Sequence, residues 1–240
     1  MLFMFSLIKN FLFKIFKIYK VRSDCQINNL GNIYKDLFGY KNNGIFIEVG
    51  AYDGERWSNT AFLADIGWKG VYIEPVKEYF SKCVSRHSRN PEVEVLNLAI
   101  GQENKKVEIF IGQALSTILS SQVEFYKQTK FSKHVGFTSS EFCNQKRLED
   151  VLISKNIPIG FDLLVVDTEG YEDQVFNSFD LFYWKPKVII VELPDENVNF
   201  KDFTKFVKAT LQLRGKILNT GYREIYKDDI NTIFSCIEAN

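Results

Sequence analysis

The chain has little of what metal and disulfide chemistry require. Its 240 residues hold two histidines, His87 and His134, and four cysteines, Cys25, Cys83, Cys143 and Cys236, with no CxxC pair. That argues against a zinc module, a disulfide framework or a His-rich metal site, and for reduced, mostly buried thiols in a cytosolic protein. Net charge is absent as well: Lys+Arg and Asp+Glu each total 30, so no basic field calls for a nucleic-acid partner. The dinucleotide fingerprint GxGxxG occurs nowhere. What is present, 45% hydrophobic and 25% charged residues over a length suited to one α/β domain, is an ordinary globular composition.

Residues 1–23 differ from everything after them. Lys9, Lys14, Lys17, Lys20 and Arg22 fall there without an acid. The lysines interrupt the apolar run that a transmembrane helix needs, and no small-residue cleavage site follows to make a secretory signal. On a helix, the lysines, Ser6 and Asn10 gather within an arc of about 140°, and Phe5, Ile8, Leu12, Ile15 and Phe16 are among the apolar residues that fill the rest. A lysine stripe beside a wide apolar face predicts a helix lying in the membrane interface, a peripheral contact at the inner face of the membrane. The alternative is an amphipathic helix packed on the domain at 24–240 or on a partner.

From residue 24 the chain alternates strand-like and helix-like stretches in the βαβ manner. Strands are predicted at 44–49 (GIFIEV), 71–74 (VYIE), 93–98, 106–112, 162–167 (DLLVVD) and 187–192 (KVIIVE). Helices are predicted at 56–66, 76–88, 147–155 and 171–182, and a helix at 201–214 with strands near 216–226 and 231–237 closes the chain. The polar stretch 113–145 lacks sustained periodicity and reads as a lid or binding loop, or as disorder. The pattern predicts a Rossmann-like α/β sheet of seven strands, mostly parallel with a terminal antiparallel strand and helices on both faces. In such sheets ligands sit beyond the carboxyl ends of the strands, where strand order reverses.

Strand ends therefore carry the chemistry. The first strand runs into Glu48-Val49-Gly50-Ala51-Tyr52-Asp53-Gly54, where two glycines permit a tight turn and close approach to a ligand. The second ends at Glu74-Pro75, and an acid there can accept hydrogen bonds from both ribose hydroxyls of a nucleoside. The strand at 162–167 ends in Asp167-Thr168-Glu169-Gly170-Tyr171-Glu172. Three carboxylates so close together at a cleft mouth are costly unless they bind or catalyse. Asp167 is the first candidate for a general base and Glu169 the second. The plainer alternative is that Glu172 caps the next helix and that Glu169 and Gly170 shape the turn.

FIEVGAYDGERWSNTAFLADIGWKGVYIEP (46–75) followed by DLLVVDTEGYEDQVF (162–176) resembles the FkbM-type methyltransferases, which are class I enzymes dependent on S-adenosylmethionine (SAM). SNT (58–60), GWKG (67–70), IEP (73–75) and DTEGYE (167–172) stand in the family's order, and the likeness runs over roughly 44–192. The resemblance implies methyl transfer to oxygen, commonly a hydroxyl of a glycan or secondary metabolite. It implies that Glu48, Gly50 and Gly54 face the methionine part of SAM and Glu74 the ribose, with Asn97 to Ile100, including Ala99, near the adenine. Glu192-Leu193-Pro194 departs from the family's usual continuation, which predicts a specialised acceptor side. No metal is assigned, although Asp167, Glu169 and Glu192 offer the carboxylate oxygens that hard cations favour. His134 is a further candidate base, and Tyr52, Trp57, Ser116 and Thr117 are candidate acceptor-pocket residues. Two other readings stand beside this one: a nicotinamide-dependent oxidoreductase, disfavoured by the missing GxGxxG, and a non-catalytic SAM-binding module, disfavoured by the retained acids and glycines.

Overall fold

Short valine, isoleucine and leucine runs can be buried on both faces of a parallel sheet, and here they build one. The computed structural model describes residues 25–128, 136–137, 139–197, 200 and 204–237; the predicted helix at 1–23 and His134 lie outside them. The chain first forms α1 (Leu30–Phe38), β1 (Ile45–Val49), α2 (Ala61–Asp65), β2 (Lys69–Ile73), α3 (Lys77–His87) and β3 (Val93–Leu96). Next come β4 (Ala99–Ile100), β5 (Lys105–Ile111), α4 (Ser120–Gln128), β6 (Ser139–Lys146), α5 (Leu148–Ser154) and β7 (Leu163–Val166). It ends with α6 (Glu172–Phe176), α7 (Leu181–Trp184), β8 (Val188–Glu192), α8 (Thr204–Asn219), β9 (Arg223–Lys227) and β10 (Asn231–Ser235).

The main sheet has seven strands in the order β3-β2-β1-β7-β8-β10-β9, and strand order reverses between β1 and β7. The first five of these run parallel, while β10 is antiparallel to both its neighbours. Side chains alternate across the sheet. Ile47, Leu164 and Ile189 pack on one face against Leu152 of α5, Phe176 of α6 and Ile217 of α8. Phe46, Val165 and Ile190 pack on the other against Leu30 of α1, Phe62 of α2 and Cys83 of α3. The seven-stranded Rossmann-like architecture is thus the one the strand pattern predicts. A second sheet, β4-β6-β5, stands apart from it.

Several local expectations change. The helix predicted at 56–66 shrinks to α2, because Trp57 takes a left-handed φ of 59° and Ser58 Oγ accepts hydrogen bonds from the Thr60 and Ala61 amides. The helix predicted at 171–182 breaks into α6 and α7, where Asp180 caps the second piece by accepting from the Phe182 and Tyr183 amides. The stretch at 113–145, read as a loop, contains α4 and β6. Strand β6 has no apolar alternation to reveal it: only Cys143 and Gln145 of its eight residues are buried. Helix α1 also went unpredicted, although Leu30, Tyr34 and Leu37 mark its buried stripe.

Candidate active site

The carboxyl ends of β1, β2 and β7 open into a cleft with about 880 Å³ of empty space, at the point where strand order reverses. Glu48, Gly50, Glu74, Ala99, Asp167 and Glu169 line it, as do Tyr52, Trp57, Ser116 and Thr117. Gly54 and Asn97 do not. A Cβ on Gly54 would meet Cys83 Sγ at 2.6 Å and His87 Nε2 at 2.9 Å, so this glycine turns its bare side to α3. Asn97 spends its amide on the Glu74 and Pro75 carbonyls and braces the strand end from behind.

Each acid of the first half of the cleft is held from the backbone or by hydroxyls. Both oxygens of Glu74 accept, one from the Tyr52 amide and one from the Val76 amide, each at 2.8 Å. Glu48 accepts from the hydroxyls of Ser58 and Thr60. Burial pushes both carboxyls up to about 8, against those hydrogen bonds, which pull the other way. The turn itself is pinned from below by His87. Burial pushes its imidazole down to about 4, so it is neutral; Nδ1 accepts from Asn90, and Nε2–H donates to the Gly54 carbonyl at 2.9 Å.

The second half is a carboxylate cluster. Asp167 Oδ2 accepts from Gln26 Nε2 at 2.7 Å, and Glu192 is its other hydrogen-bonding neighbour. Glu169 sits in left-handed backbone (φ 55°); Tyr126 of α4 donates to its carboxylate, and Thr117 Oγ1 donates to its carbonyl at 2.9 Å. Burial raises Asp167, Glu169 and Glu192 above the ordinary carboxylate range, and for the two glutamates their charged neighbours add to it. Oxygens of these three lie within 4.8 Å of one another. Glu172 does the plainer work: it accepts from the Thr168 amide and hydroxyl and from the Gly170 amide, bracing the turn that presents Asp167 and Glu169.

The site contains residues to which sequence reasoning gave no role. Ser58 and Thr60, inside the SNT piece, anchor Glu48, while Gln26 and Asn59 reach Asp167 as a relay. Tyr126 arrives on the helix hidden in the polar stretch. Spacing could have flagged the hydroxyls beside a buried acid; nothing in the local pattern marks Gln26.

The crowding of buried acids sets a pH dependence. Glu48 and Glu74 have folded values near 8 against an ordinary 4.5, so the folded chain binds more protons than the unfolded chain between those limits. Stability is then fully present below the lower limit and falls as pH rises through the upper one, by about 1.4 kcal/mol per pH unit for each group at most. Thermal melts of the ligand-free chain are expected to drop between pH 5 and 8; a flat or rising profile contradicts the burial of both acids.

A parallel sheet that reverses at β1 and β7, with a glycine turn and acids at the reversal, defines a Rossmann-like protein with a nucleotide-type site. A candidate O-methyltransferase from Klebsiella pneumoniae shares this fold at 10% identity and a TM-score of 0.50, over 94% of this chain and 88% of that one. The O-methyltransferase from Bacillus cereus, in complex with S-adenosylhomocysteine (SAH), matches at 13% identity and TM-score 0.46, over 92% and 90%. Fibrillarin from Aeropyrum pernix, with natively bound SAM, matches at 9% and 0.40, over 85% and 71%. At 10% identity the likeness to the Klebsiella protein concerns the fold alone. No curated protein matches in sequence at a significant level. The family model described as the methyltransferase FkbM domain matches residues 48–224, and the chain belongs to that family.

Proposed function

We propose that the chain transfers a methyl group from SAM to a hydroxyl oxygen of a glycan or related metabolite. The observation that carries this is one cleft lined by both a nucleoside-type acid, Glu74, and a pair of candidate bases, Asp167 and Glu169, with Glu192 close beside the pair. Glu48, Gly50 and Glu74 would hold SAM, with Ala99 bordering its adenine end. SAM supplies an electrophilic methyl carbon on a sulfonium. The protein's part is then to align the acceptor oxygen and to take its proton. Asp167 would take that proton, with Glu169 beside it as the second acid; a buried carboxylate of raised basicity suits the step. Tyr52, Trp57, Ser116 and Thr117 border the acceptor side. Residues 1–23 belong to this reading as a peripheral contact with the inner membrane face; among the described residues no helix is long and apolar enough to cross a membrane.

Calorimetric titration tests the reading without knowledge of the acceptor. The chain is expected to bind SAM and to ignore NADH. Glu74→Ala should weaken SAM about a hundredfold, since its hydrogen bonds to two ribose hydroxyls are lost. Unchanged SAM affinity in that variant, or tight binding of NADH, sinks the proposal.

A further inference from the structure

Gln26 lies ahead of Glu48, where the family match begins, yet its side chain lines the cleft. Two hydrogen bonds fix its amide. Asn59 Nδ2 donates to Oε1 at 3.2 Å, which identifies Oε1 as the acceptor and turns Nε2 toward Asp167 Oδ2, 2.7 Å away. Asn59 is itself held, because Cys25 Sγ donates to its Oδ1 at 3.3 Å and its carbonyl accepts from Tyr34 of α1 at 3.0 Å. The strand-like bridge between Cys25 and Trp57 and the full burial of Ile27 anchor the segment on either side of Gln26. A flexible polar side chain does not meet two fixed partners inside a cleft by accident of surface packing; its geometry is set from both ends.

The partner it fixes stands at the strand-order reversal, in the most acidic part of the cleft. Arg56 is the lone lysine or arginine among the described lining residues, against the carboxyls of Glu48, Glu74, Asp167 and Glu169. Burial holds these acids toward their neutral forms in the empty cleft, and a cationic ligand atom draws them back to the ionised form, so such a lining favours a cation over a neutral atom of the same shape. We propose that Gln26 is a positioning residue that holds the Asp167 carboxylate toward the sulfonium of the methyl donor, and so sets the preference of the site for SAM over SAH, in which that sulfur is an uncharged thioether. This rests on the SAM reading above. With an apolar side chain at position 26, Asp167 loses its amide donor and keeps Glu192 as its hydrogen-bonding neighbour, so its orientation is no longer fixed from the Gln26 side.

The test is a pair of calorimetric titrations, SAM and SAH, on the full chain and on Gln26→Leu and Gln26→Met, with thermal melts alongside. Both variants should bind SAM about tenfold more weakly and SAH within about twofold of the wild type, since only the sulfonium ligand feels the lost alignment. Asn59→Ala should show the same loss of selectivity in smaller measure, because it frees the Gln26 amide without removing it. If the variants weaken SAM and SAH equally, or leave the ratio of the two affinities unchanged, Gln26 does no more than hold the fold and the proposal is overturned. A wild-type chain that binds neither ligand overturns the SAM reading itself, and this inference with it. SAH binding by the variants also shows that they are folded.

Discussion

Gly50→Ala is expected to prevent the chain from folding to its native state. Gly50 has φ 87°, and a Cβ built there would lie 1.6 Å from the Asp167 carbonyl oxygen and 2.8 Å from its carbon. Both atoms are backbone, so no side chain can swing aside. Nor can β1 and β7 part freely, because the Asp167 amide donates to the Val49 carbonyl at 3.0 Å, while on the other side the Gly50 amide holds the turn to β2 by donating to the Ile73 carbonyl at 3.0 Å. Left-handed backbone strain of roughly 1–2 kcal/mol adds to an overlap that only separation of β1 from β7 relieves, and a total above about 4 kcal/mol approaches the whole stability of a domain. Gly160→Ala is the control. Gly160 has φ 70° with nothing within 4 Å of the built Cβ, so it should cost only about 1–2 kcal/mol of strain. Soluble yield, circular dichroism and melting temperature compare the two; a Gly50→Ala chain that melts within a few degrees of the wild type contradicts the close approach.

Asp167→Asn is expected to lower the rate of methyl transfer at saturating SAM by about 10²–10⁴, the range lost with a general base. Asparagine keeps the shape of the side chain but cannot accept the acceptor's proton. It should also weaken SAM more than SAH, in the same sense as Gln26→Leu, so rates must be compared at saturation. Glu169→Gln should cost about tenfold, because its carboxylate is already engaged by the Tyr126 hydroxyl and, on the proposed reading, supports Asp167. The measurement is the initial rate at which label passes from methyl-labelled SAM to an acceptor hydroxyl. A larger loss in Glu169→Gln than in Asp167→Asn would exchange the two roles.

The central strands of the sheet were legible because they are buried on both faces. Runs such as LLVV at β7 and VIIVE at β8 leave no solvent-facing positions to blur the signal. Glu48, Gly50, Glu74 and Asp167 were legible for a related reason: each ends or follows a buried strand, where an acid or a glycine has few ordinary uses. Gly54 shows the limit of that logic. Its positive φ of 72° and its tight packing are real, but the contact it serves is with Cys83 and His87, which spacing along β1 cannot reveal. Strand β6 and helix α4 were hidden because their side chains are mostly polar or exposed, and their order comes from partners distant in sequence. Ser140 on Glu108 and Tyr126 on Glu169 are two such contacts. Gln26 was the least legible of all, since its role depends entirely on Asn59 and Asp167 meeting it in space.

Acid crowding at the strand reversal also bears on how the protein persists in a cell. Carboxyls that are costly to bury make the empty cleft the weakest version of the native state, and a cationic ligand relieves that cost only while it is bound. Every tenfold of ligand above its dissociation constant adds about 1.4 kcal/mol to a margin of roughly 5–15 kcal/mol. Degradation draws on the small unfolded fraction, so the amount of this protein that survives should follow the supply of methyl donor. The methylating capacity of the cell would then be matched to its methyl-donor pool without any separate sensor.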